Sequence, residues 1–328
     1  MLNIGIAGVW HVHTDDYARQ IRMGAQAAIT AVWDEDPEIG LAWAQKNGAV
    51  FIPDLDTLLN RADIGAVVCN TPTTHHEQIL IKAAKAGKHI FTEKLLATTV
   101  SGAEAICRAV EEAGVVCTVS LPLLSSPWVL YAKKMIVSGA LGRITGARMR
   151  RSHSGVSDRW LPERWFDVSR SGGGAMMDLG AHPVYVLAYL LGEPVRVSGM
   201  MTNLYGTTSD ENAIALVEFP GGVLGTCETA FVTFGVPDLL EVYGTEGAVF
   251  IRDGEVSVIT KTMQETGLTA CQPSRLPDAL PSPIERFISA CLSEGTSPEH
   301  LGPRDAMTMT KIIASAYLSN AQSQTIIL

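Results

Sequence analysis

Ile4-Gly5-Ile6-Ala7-Gly8-Val9-Trp10-His11-Val12-His13 decides how the chain begins. An apolar run that passes straight into glycine is how a dinucleotide-binding unit opens. There the first glycine of G-x-G-x-x-G makes a tight turn, the second lets a diphosphate approach the backbone, and the third lets the helix pack on the strand. Gly8 fits the first role, but Trp10 and His13 stand at the other two positions. A diphosphate must therefore use other backbone N–H groups at the helix start, or side chains, and His11, His13 and Thr14 are donors at that point.

Moving outward, short β-rich runs alternate with helical periodicity up to about residue 120. The strand candidates are Leu2–Ala7, Ile29–Trp33, Val50–Ile52, Ile64–Cys69, His89–Thr92 and Val115–Val119. Between them Asp15–Met23, Pro37–Lys46, Leu55–Leu59, His76–Ala86 and Ser101–Ala113 carry apolar residues at helical spacing, and Gly48, Gly87 and Gly114 stand where helices would stop. This alternation predicts an α/β fold with a doubly wound parallel sheet. Asp34 ends the second strand, where an acid accepts hydrogen bonds from the adenosine ribose. With Glu35 and Asp36 beside it, a 2′-phosphate would be repelled, so the expected cofactor is NAD rather than NADP.

After residue 120 the pattern changes. A helix over Pro127–Ser138, a strand over Ile144–Ser152 and a helical region ending at Gly192 precede strands joined by hairpin-type turns. Those turns are Pro220-Gly221-Gly222, Thr245-Glu246-Gly247 and Asp253-Gly254, so the pairing is expected to be antiparallel. The expected organisation is a Rossmann domain over 1–120 and an α+β substrate-binding and oligomerisation domain over 121–328. Thr262–Pro283 reads as a loop, followed by two closing helices.

The 328 residues suffice for two domains, and no apolar run approaches the length of a membrane span. A net charge of −9 argues against a general nucleic-acid surface. The six cysteines are scattered without a C-x-x-C pair, so neither a disulfide framework nor a zinc site is expected. The first strand begins at residue 2 with no secretory pattern ahead of it, which predicts a cytoplasmic protein.

Two further segments specify the chain more closely. "VVCNTPTTHHEQILIKAAKAGKHIFTEK" ends in Glu93-Lys94, and "SGGGAMMDLGAHPVYVLAYLLG" contains Asp178-x-x-x-His182. With "IGIAG" at the start, "SGALGRI" and "PIERFISACLSEG", the sequence resembles the Gfo/Idh/MocA oxidoreductases, the family of glucose-fructose oxidoreductase and inositol dehydrogenase. The resemblance implies a second domain whose open-faced, largely antiparallel sheet forms a subunit interface in a homodimer or homotetramer. It also implies that Lys94, Asp178 and His182 meet beside the nicotinamide. The expected cofactor contacts are Gly8, Val9, Trp10, His11 and His13, then Asp34, then Asn70, Thr71, Pro72 and His76, and finally Glu93 and Lys94. Lys94, Asp178, His182 and Trp160 are the expected substrate contacts.

These residue types suit alcohol oxidation, in which a base removes the hydroxyl proton while hydride leaves the same carbon. An imidazole such as that of His182 is suited to that task. Asp178 would share its face if the segment is helical, although Pro183 favours a helix start and leaves the local geometry open. Lys94 can donate to the substrate oxygen, so the acid/base is either residue. His75 and His76 open a helix, where capping is favoured over catalysis, and His89 reads as structural.

Three departures from the family pattern stand out. The glycine fingerprint is altered. Leu95 replaces the proline of E-K-P, which in relatives often follows a cis peptide, whereas a bond to leucine favours trans by about 3 kcal/mol. Val119–Leu124 is apolar where relatives are often polar, leaving fewer partners for a fully hydroxylated sugar. Arg148, Arg150, Arg151, Arg159, Arg164 and Arg170, interleaved with His153, Trp160 and Trp165, would recognise a carboxylated or phosphorylated substrate or form inter-subunit salt bridges. The expected activity is hydride transfer between NAD and a secondary hydroxyl of a sugar, polyol or cyclitol. The alternatives are glycoside cleavage with cofactor recycling and a ligand-binding protein without redox chemistry.

Overall fold

The computed structural model describes residues 1–293 and 295–328. The chain divides into two compact units, residues 1–121 with 281–310, and residues 122–280 with 311–328. In the first unit, β1 (Leu2–Ala7), β2 (Ala27–Trp33), β3 (Val50–Phe51), β4 (Ala66–Cys69), β5 (His89–Thr92) and β6 (Cys117–Val119) form one sheet. Their order is β3-β2-β1-β4-β5-β6, with every pair parallel. The strand order reverses between β1 and β4, and open α/β sheets bind ligands outside the carboxyl ends of the strands at such a switch point.

Five helices connect the strands: α1 (Thr14–Met23), α2 (Pro37–Asn47), α3 (Leu55–Leu59), α4 (His76–Lys85) and α5 (Val100–Ala113). Asp36, Asp54 and Thr99 cap α2, α3 and α5 through their side-chain oxygens, satisfying N–H groups that a helix start leaves orphaned. The N-cap of α1 is His13, which makes no side-chain cap bond. The first turn of α1 is thus left to be met by other partners.

In the second unit, α6 (Pro127–Val137) precedes β7 (Ile144–Ser152). Next come α7 (Val168–Ser171) and α8 (Ala181–Leu191), and then β8 (Arg196–Thr202), β9 (Asn212–Phe219), β10 (Val223–Ala230), β11 (Leu239–Gly244), β12 (Gly247–Arg252) and β13 (Glu255–Thr260). With β14 (Ile326–Ile327) they form a sheet of order β13-β12-β11-β7-β10-β9-β8-β14. All pairs are antiparallel except β7 with β10. The period of two is plain in β9, where Ala213, Ala215, Val217 and Phe219 are buried while Ile214 and Leu216 face outward. Thr262–Pro283 is not wholly a loop, because α9 (Lys261–Glu265) is capped by Thr260.

The closing helices are α10 (Pro283–Leu292) and α11 (Pro303–Gln322). A capping box between Ser282 and Glu285, with Pro283 at the first helical position, starts α10. Ile284, Phe287 and Ile288 lie on one face of it and join Ile4, Ile6, Tyr17 and Phe91 in the core of the first unit. The Phe91 and Phe287 rings, both fully buried, are 5.7 Å apart, and each such side chain contributes about 2 kcal/mol by leaving water.

Candidate active site

The loops after β1 and β4 lie against each other. Gly8 has φ +83°, and a β-carbon there would stand 2.4 Å from Thr71 Cγ2 and 3.0 Å from the Thr71 backbone, so only glycine fits. His11 N–H donates to the Asn70 carbonyl at 3.1 Å, and Asn70 N–H donates to Ala7 at 2.9 Å. Asp34 fastens the turn: one carboxylate oxygen accepts Val9 N–H at 2.7 Å and the other accepts Asp36 N–H at 2.9 Å. Each oxygen keeps acceptor capacity for a ribose hydroxyl.

This half of the site fits a dinucleotide. The Asn70 carboxamide is fully buried at the end of β4, and neither its oxygen nor its nitrogen has a hydrogen-bond partner among the described residues. An amide so placed carries a desolvation cost that a bound polar group relieves. Trp10 is buried rather than standing in solvent.

Glu93 follows β5 and is buried. One carboxylate oxygen, Oε1, accepts the Tyr17 hydroxyl and lies 2.9 Å from His13 Nδ1 and 3.4 Å from His11 Nδ1. The other, Oε2, accepts Lys94 N–H at 3.1 Å, so the acid holds the backbone that presents the buried Lys94 side chain. Burial raises the Glu93 pKa, but the charges of His11, His13 and Lys94 outweigh it and hold the carboxyl well below the usual range. Tyr17, which also meets Ser120 Oγ at 2.7 Å, is pushed up by burial and by that carboxylate.

One expectation changes here. The Lys94–Leu95 peptide is cis, not trans. The segment is fixed by its surroundings: Leu95 is buried, and its carbonyl faces His76 Nδ1 at 2.6 Å. His76 itself is buried inside the unit, with Nε2 3.2 Å from the Thr71 carbonyl. Both ring nitrogens face backbone carbonyls, and the one that carries the proton of the neutral ring donates, so His76 sits between the Thr71 and Leu95 loops. His75 lies 3.5 Å from Glu35, and His89 accepts Val116 N–H at 3.0 Å.

In the second unit Asp178 is not on a helix with His182. It lies in the turn before α8, whose first residues include His182 and Pro183; the proline sits in the first turn, where its missing N–H costs nothing. The turn is anchored by Asp210, whose carboxylate accepts Gly174 N–H and Met176 N–H, both at 2.8 Å, and the Tyr317 hydroxyl at 2.6 Å. The backbone approaches so closely that a β-carbon on Gly174 would stand 2.0 Å from the Asp210 carbonyl oxygen. His182 is 8% exposed, with Nδ1 3.0 Å from the Tyr185 hydroxyl, which in turn accepts Leu123 N–H at 3.1 Å. Tyr185 was not singled out in the sequence, although His-x-x-Tyr at helical spacing marks such a pair.

Trp160, 56% exposed, leans on His153 at 4.6 Å, and His153 stacks on Phe231 at 5.0 Å. Burial lowers the His153 pKa, partly offset by the charge of Asp178. The arginines of this segment include strand residues paired with acids. Arg148 pairs bidentately with Glu228 across β7 and β10 at 2.6 and 3.0 Å, Arg151 meets Asp238 at 3.5 Å, and Arg164 is exposed.

Residues 2–121 match the family described as "Oxidoreductase family, NAD-binding Rossmann fold", and residues 129–250 match the "GFO/IDH/MocA C-terminal domain". The chain belongs to the Gfo/Idh/MocA family of NAD-binding oxidoreductases. It is 29% identical over 244 residues to levoglucosan dehydrogenase of Pseudarthrobacter phenanthrenivorans, covering 66% of this chain and 63% of that protein. Over 254 residues it is 29% identical to scyllo-inositol 2-dehydrogenase (NAD(+)) of Bacillus subtilis, covering 74% and 71%. It is also 29% identical over 257 residues to 2,7-anhydro-N-acetylneuraminate hydratase of Escherichia coli, covering 76% and 68%. The structure of levoglucosan dehydrogenase in complex with NADH and levoglucosan superposes with a TM-score of 0.86 at 25% identity, over 99% of both chains.

Proposed function

We propose that the protein is an NAD-dependent dehydrogenase acting on a secondary hydroxyl of a sugar, polyol or cyclitol. The observation that carries this reading is the buried Glu93-Lys94 pair at the carboxyl end of the same sheet on which Gly8, Asp34 and Asn70 shape a dinucleotide cradle. Asp34 would hold the ribose, with Glu35 beside it disfavouring a 2′-phosphate, and Asn70 would satisfy its carboxamide on the cofactor. NAD supplies the hydride acceptor.

His182 takes the hydroxyl proton, with Tyr185 fixing its ring through Nδ1 so that Nε2 addresses the substrate. Asp178 accepts substrate hydroxyls, and Lys94 donates to the oxygen that becomes the carbonyl. Trp160 offers an apolar ring face to a sugar. Two of the relatives carry a polyhydroxylated ring in their names, levoglucosan and scyllo-inositol, which supports that substrate class. A screen of polyols, inositols, sugars, anhydrosugars and sugar acids for NADH formation tests the proposal. Turnover should vanish in Lys94→Ala and in His182→Ala, and undiminished turnover in both removes the catalytic assignment.

A second reading, bond cleavage with the cofactor restored each cycle, is favoured by the relative named a hydratase. It predicts product release without net NADH. We further propose a homodimer or homotetramer built on the outer face of the second sheet, where Met200, Ile214, Leu216 and Leu224 are exposed beside the Arg148–Glu228 pair. All six cysteines are free thiols, which supports a reducing, cytoplasmic setting.

A further inference from the structure

The side chains of His11, His13 and Glu93 hold more than a cofactor loop requires. Their nearest ligand atoms, two imidazole nitrogens and one carboxylate oxygen, all lie within 4.8 Å of one another. Glu93 Oε1 is 2.9 Å from His13 Nδ1 and 3.4 Å from His11 Nδ1. Two atoms bound about 2.0–2.1 Å from a common ion lie about 2.9–3.4 Å apart at octahedral to tetrahedral angles, so both separations are those of ligands sharing one ion.

The backbone and a neighbouring hydroxyl hold the three groups in place. His13 backbone N–H also approaches His11 Nδ1, at 3.3 Å, so the two imidazoles are held together by the backbone as well as by Glu93. Tyr17 donates to the same Oε1, and Lys94 N–H to Oε2, so the carboxylate is held in place. Glu93 and His11 are buried, while His13 is half exposed and opens the cluster to solvent.

We propose that His11, His13 and Glu93 form a binding site for one divalent first-row transition-metal ion. Two imidazoles and one carboxylate suit Zn²⁺, Fe²⁺ or Co²⁺, and three protein ligands leave a coordination position open. The site goes beyond the dehydrogenase reading and does not depend on it, because binding is read without turnover.

The test uses the full chain with no nucleotide added, titrated with Co²⁺ and followed by visible absorption and calorimetry. One equivalent should saturate and produce ligand-field bands. His13→Gln and Glu93→Gln should each weaken binding at least about tenfold, the loss that removal of even an outer partner of a metal ligand causes. Glu93→Gln is nearly isosteric and His13 is half exposed, so both variants should fold, which circular dichroism verifies. His75→Gln, which alters an imidazole beside Glu35, should bind as the wild type does. Absence of saturable binding up to about 1 mM Co²⁺ overturns the proposal. So does an unchanged affinity in both cluster variants, or an equal loss in His75→Gln.

Discussion

Gly8 and Thr71 are in such close contact that a β-carbon on the glycine would stand 2.4 Å from the threonine Cγ2. The turn after β1 and the loop after β4 are therefore a matched pair, and the cradle they form depends on one missing methyl group. Gly8→Ala must both adopt a left-handed backbone and push Thr71 away, so it should lower unfolding free energy by about 1–3 kcal/mol. Urea denaturation of the two proteins measures this, and NAD affinity should fall with it.

Asp34 holds the Val9 and Asp36 N–H groups, and on the proposed reading its remaining lone pairs accept from a ribose. Asp34→Ala should weaken NAD binding at least about tenfold, the equivalent of one charge-assisted hydrogen bond. Binding of NADP should fall less, so that calorimetry with both nucleotides shows a narrowed preference.

Burial holds the His76 imidazole below its ordinary pKa of 6.5. The unfolded chain therefore takes up a proton that the folded chain refuses as pH drops through that value. Stability is fully present above it and declines below it. In His76→Gln this part of the decline should disappear. Urea midpoints compared between pH 7.5 and 5.5 should differ less in the variant than in the wild type.

Tyr185 touches His182 Nδ1, and on the proposed mechanism it positions that ring. Tyr185→Phe should reduce kcat about tenfold, a part of the 10²–10⁴ that general-base catalysis supplies, with little change in KM. It should also shift the pH profile of kcat/KM. A purely structural tyrosine would lower the melting temperature and leave that profile in place.

Leu216 is 53% exposed on the outer face of β9. On the proposed homo-oligomer, Leu216→Arg should reduce the sedimenting mass while leaving NAD affinity unaltered. An unchanged mass would count against the proposed homo-oligomer on this face.

The order of strands and helices was open to a reader of the sequence because it is written in local periodicity and punctuation. Leu2–Ala7 reads as a strand by composition, Gly48 and Gly114 stand where α2 and α5 stop, and the turns at Thr245–Gly247 and Asp253–Gly254 announce hairpins. The places of Gly8, Asp34 and Glu93-Lys94 just beyond strand ends were legible for the same reason. What local pattern does not carry is the partner of a side chain far along the chain. The joining of Tyr17 to Glu93 and of His76 to Leu95 was invisible, because burial and not spacing brings them together. The Asp178–His182 spacing suggested a helical face, but the Gly172–Gly174 run is tied to Asp210 and delays the helix until Ala181.

The place of α10 has a consequence for how the polypeptide is made. Ile284, Phe287 and Ile288 complete a hydrophobic core whose other members are all encoded before residue 117. During translation the nascent nucleotide-binding unit must wait for residues 122–280 to be made before α10 leaves the ribosome. Until then the apolar surface around Phe91 and Tyr17 is uncovered, and chaperones that bind exposed hydrophobic segments have their target there.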